Sequence, residues 1–122
     1  MLINCSNHPC AKWSAAQKEA AKVYGEIADL PFPQVDPCLD TEKLRPMVRD
    51  YAAKIEGMKA DAVVLAGEYT FLFMLADKLM KDGILVLSAC SGRDTEEILR
   101  EDGTIEKRAL FVFERFRAYS YY

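Results

Sequence analysis

Two apolar runs separated by a helix-length stretch constrain this chain more than any other feature. Ala62-Val63-Val64-Leu65-Ala66 is continuous and rich in β-branched residues, and Ile84-Leu85-Val86-Leu87 repeats the pattern. Strands buried on both faces read this way, because neither side of the pleat meets water. Between the runs, residues 71–80 carry apolar side chains at helical spacing, with Gly67-Glu68-Tyr69-Thr70 as a break before them and Gly83 as a stop after them. Strand, helix and strand make a βαβ unit. Such a unit puts both strand ends, and the turns that follow, on one rim of a sheet, where open α/β sheets bind their ligands.

The rest of the chain extends the same pattern. Leu2-Ile3-Asn4-Cys5 reads as a first strand ending in the turn formers Ser6-Asn7-His8-Pro9. Ser14 followed by Gln17 is a capping-box pattern, which predicts a helix from Ala15 to Tyr24 stopped by Gly25. Residues 26–30 read as a short second strand. Pro31, Pro33 and Pro37 make the next stretch an extended loop, since proline fixes φ and removes a donor. A second helix, capped by Asp40 or Thr41, runs to about Met58 with Pro46 near its start. After strand four, Ser88-Ala89-Cys90-Ser91-Gly92-Arg93 reads as a turn. Residues 95–101 and 104–119 then form a hairpin about Asp102-Gly103, a strong hairpin signal. The expected fold is one domain over residues 1–122. It is a three-layer α/β sandwich with parallel strands ordered 2-1-3-4 and a C-terminal β-hairpin on the strand-four edge.

Charge and cysteine usage narrow the function classes. A formal net charge of -3 argues against a long nucleic acid as partner, which needs a basic surface. No apolar run reaches the roughly 18 residues that span a bilayer. With no signal-like N-terminal core, the expected location is cytoplasmic, where Cys5, Cys10, Cys38 and Cys90 are reduced thiols. Their spacing contains no C-x-x-C pair, so neither a metal nor another cofactor is expected.

In a 2-1-3-4 sheet the crevice between the carboxyl ends of strands one and three is the switch point. The loop Ser6-Asn7-His8 and the turn Gly67-Glu68-Tyr69-Thr70 face it, with Ser91, Gly92 and Arg93 beside them. Gly67 lets backbone approach a ligand, Thr70 marks a helix N-terminus that favours an anion, and Arg93 suits phosphate. Tyr69 offers a stacking face, and Ser6 and Asn7 offer hydrogen bonds. His8, the only histidine, and Glu68 are the candidate acid–base pair. Plainer readings stand beside these: a turn for Ser6 and Asn7, a cap for Thr70, a solvated pair with Glu96 or Glu97 for Arg93. Neither a Walker A sequence nor G-x-G-x-x-G is present. Phe111, Phe113, Phe116, Tyr119, Tyr121 and Tyr122 gather near the chain end, either as an interface or as the last of the core.

The segments Ile3-Asn4-Cys5-Ser6-Asn7-His8-Pro9, Gly25-Glu26-Ile27-Ala28-Asp29-Leu30-Pro31-Phe32-Pro33, Ala66-Gly67-Glu68-Tyr69-Thr70 and Arg115-Phe116-Arg117-Ala118-Tyr119 together resemble a family of short stand-alone proteins described as CRISPR-associated. The resemblance covers most of the chain. It implies a Rossmann-like domain similar to the CARF sensors of antiviral defence, which bind cyclic oligoadenylate across a homodimer. Ser6, Asn7, His8, Gly67, Glu68, Tyr69 and Thr70 would then form the cradle. By the same resemblance, the effector domain of the larger sensors is not expected here. The expectation is therefore a homodimer that binds the messenger as a small nucleotide-type ligand. It would sequester that ligand, or degrade it as a metal-independent phosphodiesterase of the ring-nuclease kind. The alternative is a protein-interaction module working through its aromatic tail.

Overall fold

The computed structural model describes residues 1–122. Four strands are β1 (Leu2–Cys5), β2 (Ile27–Asp29), β3 (Ala62–Leu65) and β4 (Leu85–Leu99), and the fifth is β5 (Ile105–Ala118). The helices are α1 (Ala15–Ala21), α2 (Thr41–Gly57) and α3 (Tyr69–Lys81). One sheet holds all five strands in the order β2-β1-β3-β4-β5. The first four are parallel, as the buried apolar runs require, and β5 is antiparallel to β4.

Alternation along the short strands sorts the core into two faces. Ile3, Cys5, Val63, Leu65 and Val86 pack with Leu44, Val48, Phe71 and Leu75 of α2 and α3. Leu2, Ala62, Val64 and Leu87 point the other way, onto Trp13 and Ala21. Helices therefore cover both faces, and the central strands β1 and β3 are wholly buried.

Local chemistry sets the element ends. The Ser14 hydroxyl accepts from Gln17 N–H at 3.2 Å, which starts α1; the predicted helix then tightens into a 3-10 turn at Lys22–Tyr24 and ends at Gly25 with φ 91°. Asp40 rather than Thr41 caps α2, accepting from Lys43 N–H at 3.2 Å. The stretch between β2 and α2 is irregular, as its prolines dictate, and it is anchored by Phe32.

The main departure from expectation is at β4. Ser88 to Arg93 are not a turn: β4 is one strand of 15 residues, and its outer part is itself the first arm of the hairpin. The sheet thus has five strands, where a separate hairpin would give six. Serine and glycine are held extended here because β5 pairs with β4 from Leu87↔Ala118 to Leu99↔Ile105. Asp102 and Gly103 do lie in the reversal, within a loop closed by Arg100 N–H on the Thr104 carbonyl at 2.8 Å, with Gly103 at φ 83°.

A bulge interrupts the register between Cys90 and Ser91, where Cys90 faces Arg115 but Ser91 faces Phe113. Glu114 is the extra residue, so Phe113 and Phe116, three apart, land on the same face. Their rings meet edge-on at 5.0 Å, and Phe116 reaches Trp13 at 6.0 Å. Part of the aromatic chain end therefore finishes the core. Phe111 remains 74% exposed.

Candidate functional site

A polar residue inside an apolar strand organises the rim. Asn4 is buried, and its amide donates to Asp29 Oδ1 at 2.8 Å and to the His8 carbonyl at 2.9 Å. Its Oδ1 accepts from the Ser6 hydroxyl at 2.7 Å, and Ser6 Oγ accepts in turn from His8 N–H at 3.2 Å. Trp13 Nε1 adds a second donor to the His8 carbonyl at 3.2 Å. The Asn4 and Ser6 side chains are thus spent on fixing the loop backbone, and the His8 side chain is left exposed.

Asp29 completes this knot by accepting from Cys10 N–H at 3.1 Å. Partial burial raises its pKa, but hydrogen bonds from Asn4 and from the Cys10 amide and thiol outweigh that and lower it overall. The Cys10 thiol shifts the opposite way, raised by desolvation and by its bond to Asp29. Cys5 is pushed up to about 12 by burial, which leaves it an inert thiol at neutral pH.

Beside the knot, on the α1 face, lies a cleft of about 360 Å³. Ser6 and His8 form one wall, and Lys12, Trp13, Ser14 and Gln17 a second. Val64, Ala66, Ala89 and Ser91 form the floor, and Phe111 and Phe113 the third wall. It opens at the carboxyl ends of β1 and β3, the switch point of the sheet. The crevice on the other face is filled: Phe32 sits against Gly67, where a Cβ would lie 2.2 Å from the ring.

Of the residues singled out from the sequence, Ser6, His8 and Ser91 line this cleft. Asn7 is exposed beside it. Gly67 serves the packing of Phe32. Glu68 caps α3: its Oε2 accepts from Phe71 N–H at 2.8 Å and its Oε1 from Thr70 N–H at 3.1 Å. The Thr70 hydroxyl also donates to it, at 2.7 Å. The anion position at this helix end is therefore taken by the chain's own carboxylate. Those bonds, from Phe71 N–H first and Thr70 next, lower the Glu68 pKa and hold it ionised. Glu68 does not line the cleft with His8, so the two are not joined there as an acid–base pair.

Tyr69 is 86% exposed in the first turn of α3. Gly92 lies within β4, where a Cβ would meet Glu114 Oε1 at 3.2 Å. Arg93 stacks over Phe111 at 5.7 Å, a cation–π contact. Cys5, Cys10, Cys38 and Cys90 are all free thiols. Cys90 lies in a separate groove with Ser88, Arg117 and Tyr119.

Sequence reasoning did not place Asn4, Asp29, Lys12 or Gln17 at the rim, and it assigned Phe111 and Phe113 to an interface or the core rather than to the cleft. An amide in the run Leu2-Ile3-Asn4-Cys5 is a readable signal, because a buried amide needs partners. The others come together only through the β4–β5 pairing and the loop before α1.

The class defined by this architecture is an α/β protein with a mostly parallel five-stranded sheet and a ligand-sized cleft at its carboxyl rim. Residues 1–117 match the model of the family described as "Uncharacterized protein MJ1673 family", and the chain belongs to that family. Neither the curated proteins nor the solved structures contain a match. No helix is long and apolar enough to cross a membrane.

Proposed function

We propose that this is a Rossmann-like domain whose rim cleft takes a nucleotide-type anion. The observation that carries the reading is the cleft's composition. Lys12 supplies a cation, Phe111 and Phe113 supply flat apolar faces for a base, and His8, Gln17 and Ser91 supply hydrogen-bonding groups. The resemblance to short CRISPR-associated proteins of antiviral defence makes a cyclic oligoadenylate the leading candidate, bound or degraded in the cytoplasm. At about 360 Å³ the cleft is near the small end of ligand pockets and suits one nucleotide unit. A ring of several units would span the clefts of two copies, which supports a homodimer as the working form. The α3 end contributes little, since Glu68 already occupies it.

Titration calorimetry against mononucleotides, dinucleotides and cyclic oligoadenylates tests this directly, with mass spectrometry of the same samples to detect turnover. Saturable binding that Lys12→Ala weakens about tenfold is the expected result, the loss of one charge-assisted contact. Silence across the panel overturns the reading. Turnover is the second reading, favoured by the position of His8 on the cleft wall. A His8→Ala variant that binds but leaves the ligand intact, where the wild type cleaves it, would establish it.

A further inference from the structure

The outer hairpin raises a physical problem. β4 runs 12 residues past Leu87, its last partner on β3. At about 3.3 Å per residue that is roughly 40 Å of two-stranded ribbon. Residues 93–97 and 107–112 are all exposed, on both faces. A lone two-stranded ribbon is marginal in water. This one also exposes Leu99, Ile105, Leu110, Phe111 and Val112. β5 has a single neighbour, so its outer edge offers unpaired backbone groups. Natural edges are usually guarded by charge or proline, yet Ala109-Leu110-Phe111-Val112-Phe113 carries neither.

We infer that the β5 edge pairs antiparallel with the β5 edge of a second copy, with Phe111 on the two-fold axis. The sequence is self-complementary about that residue. Leu110 then faces the second copy's Val112, Ala109 faces Phe113, and Arg108 faces Glu114, and the symmetry makes each of these pairs twice. The nearest flanking charges, Arg108 and Glu114, are of opposite sign in this antiparallel register, while the next pair, Lys107 and Arg115, is of like sign; a parallel in-register pairing sets every charge against its own copy. The association joins the two five-stranded sheets into one, pairs the open backbone groups of β5, and gives Leu110, Phe111 and Val112 cross-strand neighbours. Residues directly opposite on an antiparallel pair share a face. Phe111 and Phe113 of both copies therefore lie on the same side as both clefts. The interface is argued from the β5 edge alone and does not depend on what the clefts bind.

The test is a charge swap read by sedimentation equilibrium and light scattering on the full chain. Wild type is expected at twice the 13.8 kDa chain mass, dissociating on dilution. Arg108→Glu and Glu114→Arg each place like charges opposite one another at two symmetric positions. Each should weaken association at least about tenfold, and the double variant should return to within about threefold of wild type. Circular dichroism of each variant reports that the body stays folded. A wild type that remains monomeric across the concentration range overturns the inference, and so do single variants that associate normally or a double variant that fails to recover. Removal of Tyr121 and Tyr122 leaves the dimer intact on this account; its loss would move the interface to the aromatic tail and overturn the assignment to β5.

Discussion

Gly67→Ala is the substitution that most sharply separates a packing role from a ligand role at the switch point. A Cβ at this position would lie 2.2, 2.4 and 2.5 Å from Cδ1, Cε1 and Cγ of Phe32. Ordinary carbon contacts are about 3.5–4.0 Å, so the ring must move by more than about 1 Å. It has nowhere easy to go. Phe32 is 3% exposed, stands edge-on to Phe71 at 5.5 Å, and is tied to the loop just after β1 by its N–H on the Ser6 carbonyl at 3.3 Å. If the ring stays and the core strains, overpacking costs about 1–3 kcal/mol. If the ring is expelled, the cost approaches that of Phe32→Ala, about 3–5 kcal/mol. The expected loss is therefore about 2–4 kcal/mol, bounded above by Phe32→Ala. Urea denaturation measures it, with the midpoint falling at constant slope. In the Phe32→Ala background the new methyl meets no ring. The double variant should then match Phe32→Ala within about 0.5 kcal/mol, a coupling well beyond additivity. A Gly67→Ala variant as stable as wild type, or costs that simply add, would refute the packing argument and return Gly67 to the ligand.

Replacing Asn4 by Leu strips partners from the Asp29 carboxylate, the His8 carbonyl and the Ser6 hydroxyl at once; we expect about 2–3 kcal/mol of destabilisation by thermal or urea unfolding, with little change for Asn7→Ala on the same loop. The lowered pKa values of Asp29 and Glu68 carry a pH signature. A carboxyl whose folded pKa lies below its unfolded value contributes stability above the unfolded pKa and loses it as pH falls through the folded one. Asp29→Asn and Glu68→Gln should therefore be less stable than wild type at neutral pH, and the gap should close in acid. Melting curves across that range check both, and a pH-independent gap would contradict the hydrogen-bonding account. Glu68→Ala should also speed amide exchange in the first turn of α3 while leaving ligand affinity in the cleft unchanged, because Glu68 is a cap and not a cleft wall.

The parallel core was legible because local pattern and global burial agree there. The runs at 62–66 and 84–87 are apolar without alternation, and only a strand covered on both faces needs that. The cap at Ser14 follows from a short-range hydrogen bond that the sequence displays directly, while for α2 the sequence left Asp40 and Thr41 open and the structure selects Asp40. The state of residues 88–93 was not legible. Ser-Ala-Cys-Ser-Gly-Arg has the composition of a turn, and what holds it extended is its pairing with the distant segment Phe111 to Arg117 of β5. Tertiary pairing overrides local propensity here. The bulge at Glu114 had a trace in the three-residue spacing of Phe113 and Phe116, since two strand residues three apart share a face only if one residue is extra. The site was half visible. Topology placed Ser6 and His8 on the rim where the cleft lies. Lys12, Phe111 and Phe113 reach it through a 3-10 turn and a non-local ribbon, neither of which has a sequence period. Glu68, next to a helix start, looks the same in sequence whether it caps the helix or faces a ligand.

The most direct test of the central claim is a chemical-shift map recorded while a nucleotide or cyclic oligoadenylate is titrated into the protein. The account predicts that the amides of Ser6, His8, Lys12, Gln17, Ser91, Phe111 and Phe113 shift together and saturate together, while those of Thr70 and Phe71 stay still. Shifts centred on Thr70 and Phe71 at the start of α3, or no shifts with any member of the panel, would contradict it.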